Sequence, residues 1–492
     1  MESSGRRSGA LLIAAFLAGA PAHGQVEPSV VVAIEGATLI DGRGGTPLSN
    51  ALVLVSGGRI RAVGHAGSVQ VPSGATRIDA RGMTLLPGFV DVHAHVTLGP
   101  VGFDRDRSPP AIVALPDPEG SGRNLALLLA HGVTTARDPG GAAERTVAAR
   151  DSVLDGLLPG PRLFVAGEVI DQATFPGLSA PVSTPEEIRQ EVRRQAAIGV
   201  DVIKLYASLT PELVAAGIDE AHRQGLPVIG HIMGTSWAEA AALGLDGIVH
   251  IIGWSPKLLP ESSRAAYTSM LGGTQYLYGW LEHLDLAAPE MRRTVDLLAQ
   301  RRVAVDPDLV VFERAMRGDD PAVTQSPELS MAPPALLENW RSFFTFNTGW
   351  SADDYARARA AWPKALELTK LLFDRGVLLG AGTDASNPWT VAGESFHREM
   401  ELLVQAGIPP LDVLGIATRN GARILGIDDD SGTVEVGKRA DLVLLREDPL
   451  RDISATRSIE WVMKGGEIHR PQEILAPWMR PASRMDDFRA RR

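Results

Sequence analysis

Between Ser183 and Ile252 the apolar positions switch repeatedly between two periods, one helical and one extended. Ser183-Thr184-Pro185-Glu186-Glu187 is a cap followed by proline and acids, which predicts a helix running to about Gly199. A strand follows over Val202 to Tyr206. Thr210-Pro211-Glu212 then opens a second helix, which Gly225 stops. The strand Pro227 to His231, a helix over Trp237 to Gly244 and the strand Gly247 to Ile252 complete the stretch. This rhythm, extended over residues 87–429 with polar groups at strand C-termini, predicts an α/β fold, a (β/α)8 TIM barrel. A doubly wound open sheet is the alternative, but it gathers ligands at one switch point, and the polar groups here are spread over many strands. Residues 312–365, with Trp340, Trp350 and Trp362, read as an irregular insertion near the barrel mouth that could serve as a lid.

Short β segments flank this region. Val31 to Ile34, Ala37 to Ile40, Ala51 to Val55, Arg59 to Val63 and Thr76 to Asp79 are separated by Asp41-Gly42, Gly57-Gly58 and Gly82. A similar texture returns in Ala440 to Leu445 and Ile459 to Met463. Residues 25–86 and 430–470 are therefore expected to form one small composite β-sandwich domain from both chain ends, with 471–492 as a C-terminal tail. Residues 1–24 have a different character. Arg6-Arg7 precedes the apolar stretch Ala10 to Ala20 and then Pro21-Ala22-His23-Gly24, the three regions of a secretory signal peptide cleaved after Ala22 or Gly24. The apolar stretch is too short to span a bilayer. The expected location is the periplasm or the exterior, and the absence of cysteine excludes disulfides. The net charge of −11, which becomes −12 without residues 1–24, argues against nucleic acid and anionic membrane partners and leaves a small-molecule substrate. Whether the chain forms a homo-oligomer stays open.

The candidate chemistry begins at Pro87-Gly-Phe-Val-Asp-Val-His-Ala-His95. Side chains alternate along a strand, so His93 and His95 point the same way from its end and make half of a transition-metal site. Four more groups each belong to their own apolar run: Lys204, His231, His250 and Asp384. Read singly, each has an ordinary explanation: a hydrogen-bonded core histidine, an ion pair or Schiff-base lysine, a turn aspartate. Jointly the pattern points to metal, and a lysine inside an apolar strand requires a partner or a modification.

These residues resemble the amidohydrolase superfamily, on its imidazolonepropionase-like and Xaa-Pro dipeptidase-like branch. The motifs that carry the resemblance are Pro87 to His95, His131-Gly-Val-Thr-Thr-Ala-Arg-Asp138, Lys204, His231, His250 and Gly382-Thr-Asp384. Ala417-Thr-Arg-Asn-Gly-Ala-Arg423 and Gly432-Thr-Val-Glu-Val-Gly-Lys-Arg-Ala-Asp-Leu442 extend it over nearly all of the mature chain. The resemblance implies two divalent metal ions. His93, His95 and Asp384 would hold one, and His231 and His250 the other, with Lys204 bridging as N6-carboxylysine. Zinc is the default for imidazole and oxygen ligands, with Mn, Fe or Co as alternatives. It further implies hydrolysis of an amide or peptide C–N bond of a dipeptide, N-acyl amino acid or cyclic amide by a metal-bridging hydroxide, with Asp384 passing a proton to the leaving amine. Met233 and Tyr206-Ala207-Ser208-Leu209 depart from common family patterns where substrate would lie.

Tyr206, Trp254 and Trp389 are candidate substrate contacts. Asp306 and Asp308 read as turn residues around Pro307, with contact to a substrate ammonium as the alternative, Asp138 as structural, and His397 as no nearer than a supporting position. His23, His65, His131, His222, His283 and His469 lack a ligand-like setting. Three rivals remain: a lactonase or phosphotriesterase using the same binuclear site, a non-catalytic metabolite-binding barrel, and a Schiff-base lyase at Lys204.

Overall fold

A computed structural model describes residues 31–106 and 111–478. The signal-peptide segment 1–24, His23 and the last part of the expected tail, 479–492, lie outside the described residues. No helix among the described residues is long and apolar enough to cross a membrane.

The helix starts follow the local chemistry. Thr184 caps the helix Pro185–Ile198: its hydroxyl accepts from the Glu187 amide, the Glu187 carboxylate accepts from the Thr184 amide, and Gly199 ends the helix at φ +99°. Ser236 and Glu239 repeat the reciprocal cap at Trp237–Leu243, which Gly244 closes.

The strands between these helices pair in parallel. Phe89–Asp91 pairs with Val133–Asp138, which pairs with Arg162–Val165. A single parallel bridge, Ala166 to Val202, leads to Ile203–Leu205, then Val228–Gly230, Gly247–Val249 and Ala304–Asp306. Val305 bridges Leu379, the Val92 amide donates to Ala381 at 3.0 Å, and Ala94 bridges Ala385. The pairings thus return to the segment that begins them. Asp91 reinforces this last contact: its carboxylate accepts from the His93 amide (3.0 Å) and from the Thr383 hydroxyl (2.9 Å).

Strands from both chain ends share one eight-stranded sheet. Val31 to Ile34 and Ala37 to Ile40, expected as two segments, are one irregular strand, Val32–Leu39, with register shifts at Glu35/Ala37 and Ala37/Leu39. Leu442–Leu445 lies between Thr84–Pro87 and Ile459–Lys464, antiparallel to both. Ile34, Val53, Ile60 and Leu85 from one end pack with Leu442, Leu444, Trp461 and Met463 from the other.

One expectation fails. Residues 312–365 are not irregular but largely helical, containing Pro334–Ser342 and Ala352–Ala361, with Leu309–Met316 and Pro363–Asp374 at its borders. Trp340 is buried against Trp389, with ring centroids 6.3 Å apart. The prolines and short amphipathic turns that made the segment look broken are helix starts.

Leu444 is 1 % exposed and contributes to a core built from both ends of the chain. Leu444→Ala should lower unfolding free energy by about 2–4 kcal/mol in urea titration. No change would mean that this sheet contributes nothing to the measured transition.

Candidate metal centre

The sequence-nominated groups gather at the C-terminal ends of the parallel strands. His93 and His95 follow Phe89–Asp91, with buried Val92 before them and buried Ala94 between them. Lys204 is the middle residue of Ile203–Leu205, His231 follows Val228–Gly230, and His250 follows Gly247–Val249. Asp384 follows the segment that bridges Val305, and its amide donates to His93 O at 2.8 Å. His95, Lys204, His231, His250 and Asp384 line one cavity of about 170 Å³. His93 is fully buried, its ring 5.5 Å from that of His95 and 4.9 Å from that of His250.

The hydrogen bonds of the first two histidines fix their tautomers. His95 Nδ1 lies 2.9 Å from Gly140 O, and a carbonyl can only accept, so Nδ1 carries the proton. His93 Nδ1 donates in the same way to the Asp306 carboxylate at 2.8 Å. Burial holds His93 well below its ordinary pKa and takes His95 down to about 4, with the Lys204 charge adding to both, so each ring is neutral near pH 7. Both Nε2 atoms therefore present bare lone pairs, and each lies 3.5 Å from the same oxygen, Asp384 Oδ1. His93 Nε2 has no hydrogen-bond partner. Two lone pairs aimed at a carboxylate oxygen repel one another unless a cation, a metal ion or a proton, sits among them. The ligand atoms of His93, His95 and Asp384 lie within 4.8 Å of one another, close enough to share one.

Lys204 supplies the second anomaly. It is 1 % exposed and, among the described residues, forms no ion pair or hydrogen bond. Burial draws its pKa down to about 8, against the pull of Asp306, Asp384 and Asp308. An ammonium is poorly accommodated here. His231 stacks on Trp254 at 4.3 Å and meets His250 edge-on at 4.7 Å. Its ring nitrogens make no hydrogen bond among the described residues, and it stands outside the two groups of mutually close ligand atoms, His93 with His95 and Asp384 and His93 with His250 and Asp308.

Asp306 and Asp308 are not turn residues at the periphery. Both are buried beneath the histidines. Asp308 Oδ2 lies 2.9 Å from His250 Nδ1 and 3.2 Å from His93 Nδ1. Burial raises the pKa of both aspartates, Asp308 strongly, while the Arg137 guanidinium opposes the shift at Asp306 from 3.3 Å. The turn reading fails because a strand-end aspartate beside proline has the same sequence signature whether it faces solvent or a site. The backbone adds to the ambiguity, since Asp308 does adopt a left-handed turn conformation at φ +50°. His250, Trp254, Asp384 and Trp389 are also left-handed, so five of the seven such non-glycine residues described lie at or near this centre.

Of the proposed substrate contacts, Tyr206 and Trp254 line the cavity. Trp389 is not among its lining residues and packs on Trp340 instead. Asp138 accepts from the Thr97 amide and hydroxyl and from the Gly140 amide, which positions the carbonyl that holds His95. His397 bonds Thr456 and packs near His131 and Phe89, away from the cavity. Sequence reasoning missed Arg137, which stood in a quoted motif, and Asn387, whose amide donates to Asp384 O. A charged residue inside an apolar strand was the available signal for Arg137.

The amidohydrolase family model matches residues 84–252 and 346–469. The chain is 25% identical over 405 residues to an imidazolonepropionase of Cutibacterium acnes (strain DSM 16379 / KPA171202), covering 81% of this chain and 84% of that one. Among solved structures it is similar to a Xaa-Pro dipeptidase with methionine bound in the active site, with a TM-score of 0.64 at 22% identity over 89% of this chain and 100% of the other. It is also similar to a bottromycin amidohydrolase, with a TM-score of 0.68 at 23% identity over 93% of this chain and 90% of the other. With the family model matched over more than half its length, the chain belongs to the amidohydrolase family.

Proposed function

We propose that this protein is a metal-dependent hydrolase that cleaves the C–N bond of a small amide, and that residues 1–24 direct its export to the periplasm or beyond. The observation that carries the reading is the pair of bare imidazole nitrogens, on His93 and His95, facing one oxygen of Asp384. In this reading the ring of parallel pairings is a (β/α)8 barrel over residues 87–429. Residues 25–86 and 430–470 build the composite β domain beside it.

His93, His95 and Asp384 would hold one divalent ion and His231 and His250 a second, with Lys204, as its N6-carboxylate, available as a ligand to both. A carbamate supplies the anionic oxygens that a metal ligand needs and that the unpaired Lys204 ammonium lacks. Zinc suits the donors, as do Mn, Fe and Co. When bound, such ions polarise a carbonyl and lower the pKa of water. The remaining work belongs to the chain. Burial raises the Asp384 carboxyl to about 7, which suits a group that accepts a proton from the attacking water and returns it to the leaving amine. Asp306 holds the His93 ring from behind, and Asp308 lies against the His250 ring, as carboxylates do for metal-bound imidazoles. The family membership and the amidohydrolase-type neighbours support amide chemistry. A lactonase or phosphotriesterase would use the same groups, and the substrate panel separates it.

Metal-loaded protein prepared with bicarbonate should release amine from some member of a panel of Xaa-Pro dipeptides, N-acyl amino acids, N-acyl anilides and cyclic amides, and a chelator should abolish the release. Cleavage of esters, lactones or phosphotriesters with no amide turned over would transfer the assignment to the rival hydrolase. Asp384→Asn should keep bound metal yet lose about 10²–10⁴-fold in kcat, and full retained activity would remove its proton-transfer role. Asp306→Asn should weaken metal affinity about 10–100-fold in chelator competition. Unchanged affinity would return Asp306 to a purely structural place. Export should leave a mature N-terminus after Ala22 or Gly24, read by mass spectrometry of the periplasmic or secreted protein. An intact N-terminus there would remove the signal-peptide reading.

A further inference from the structure

The walls of the cavity differ in chemistry from its floor. The floor consists of His95, Lys204, His231, His250 and Asp384, the groups assigned above to metal. Among the described residues, the walls contain no arginine, no glutamate and no lysine or aspartate beyond these. They are instead strongly aromatic, with seven phenylalanine, tyrosine and tryptophan residues, completed by aliphatic side chains and Asn387.

A dipeptide or N-acyl amino acid carries a carboxylate within a few bonds of its scissile amide, and a dipeptide carries an ammonium as well. Each charge loses its water on entering such a cavity and needs a fixed counter-charge in return. Outside the groups assigned to metal, the described lining offers none. The polar groups left for recognition are neutral. The Tyr206 and Tyr276 hydroxyls have no hydrogen-bond partner among the described residues, and the buried Trp254 indole N–H is also unpartnered. Such groups can donate a hydrogen bond to a carbonyl or ether oxygen, but they supply no counter-charge to a buried carboxylate.

The origin of the walls points the same way. The family model leaves residues 253–345 unmatched, and seven of the lining residues come from that stretch, among them Trp254, Tyr276, Phe312 and Phe344. The floor comes entirely from matched segments. About half of the wall is therefore built by a stretch that the family model does not match.

We infer that the substrate of this site is an uncharged amide bearing an aromatic or branched apolar group, with neither a free carboxylate nor a free ammonium beside the scissile bond; this rests on the hydrolase reading above. Water adds to the carbonyl carbon, the C–N bond breaks, the acyl carbon keeps the hydroxyl, and the amine leaves with the proton.

The test uses two anilides that share one scissile bond, the phenylacetyl derivatives of 4-aminobenzamide and of 4-aminobenzoate, together with the matching pair of phenyl esters. With metal-loaded enzyme the neutral anilide should exceed the carboxylate in kcat/KM by at least about tenfold, as expected when a site must desolvate an unpaired charge. Phe344, half-buried at the wall and outside the metal floor, provides the converse test. Phe344→Arg should shift the preference toward the carboxylate by about tenfold. A wild-type enzyme that cleaves the carboxylate as well as or better than the carboxamide overturns the substrate class and leaves the amidohydrolase reading intact. Turnover of the esters alone overturns the amide reading, and the ratio within the ester pair then decides this inference. If none is turned over, the dissociation constants of the two anilides, read by tryptophan quenching, decide it: tighter binding of the neutral compound supports it, and equal or weaker binding overturns it.

Discussion

Two uncharged imidazoles and a carboxylate cannot share a buried space with their lone pairs converging unless something positive lies between them. His93 Nε2, His95 Nε2 and Asp384 Oδ1 are held in that arrangement, and the surrounding structure keeps them there. Asp138 aligns Gly140, whose carbonyl accepts the His95 Nδ1 proton. Asp306, itself beside Arg137, takes the His93 Nδ1 proton. Asp91 ties the His93 amide to Thr383, next to Asp384. Each bond directs a lone pair inward rather than letting the ring turn to a more comfortable partner. The left-handed conformations of His250, Asp308 and Asp384 are part of the same constraint, since relaxing any of them would move a donor atom out of the cluster.

Around this fixed centre the molecule separates two tasks. The donor atoms come from strand ends, where backbone pairing in register leaves little freedom. The cavity walls come largely from helices and connections between the sixth and seventh strands and after the seventh, whose packing can change without disturbing the ladder. Phe312, on the helix Leu309–Met316, touches both parts: it meets the His250 ring edge-on at 5.6 Å and also faces the cavity.

What the chain discloses before folding depends on whether a signal is local. Thr184, Ser236 and Gly199 announce helix boundaries because a cap is satisfied within a few residues. His93 and His95 are legible because alternation along a strand is a two-residue rule. Asp306 and Asp308 are not, because their role depends on rings contributed by strands far away in sequence, while their own neighbourhood reads as a turn. The helices after residue 309 were hidden for a related reason: proline at a helix start and proline in a loop look alike until packing decides. Trp389 shows the same limit, since an indole after a strand end can face either a cavity or, as here, another indole.

The strand Leu442–Leu445 is hydrogen-bonded on one side to Thr84–Pro87 and on the other to Ile459–Lys464. A ribosome completes the first of these strands long before it makes the second. During most of synthesis, Thr84–Pro87 therefore exposes an unpaired backbone edge and the apolar side chains of Leu85 and Leu86, immediately ahead of the histidine run. The sheet cannot be finished vectorially from the N-terminus. Its closure waits for Leu442–Leu445 and Ile459–Lys464, so any shorter folding intermediate leaves that apolar edge open.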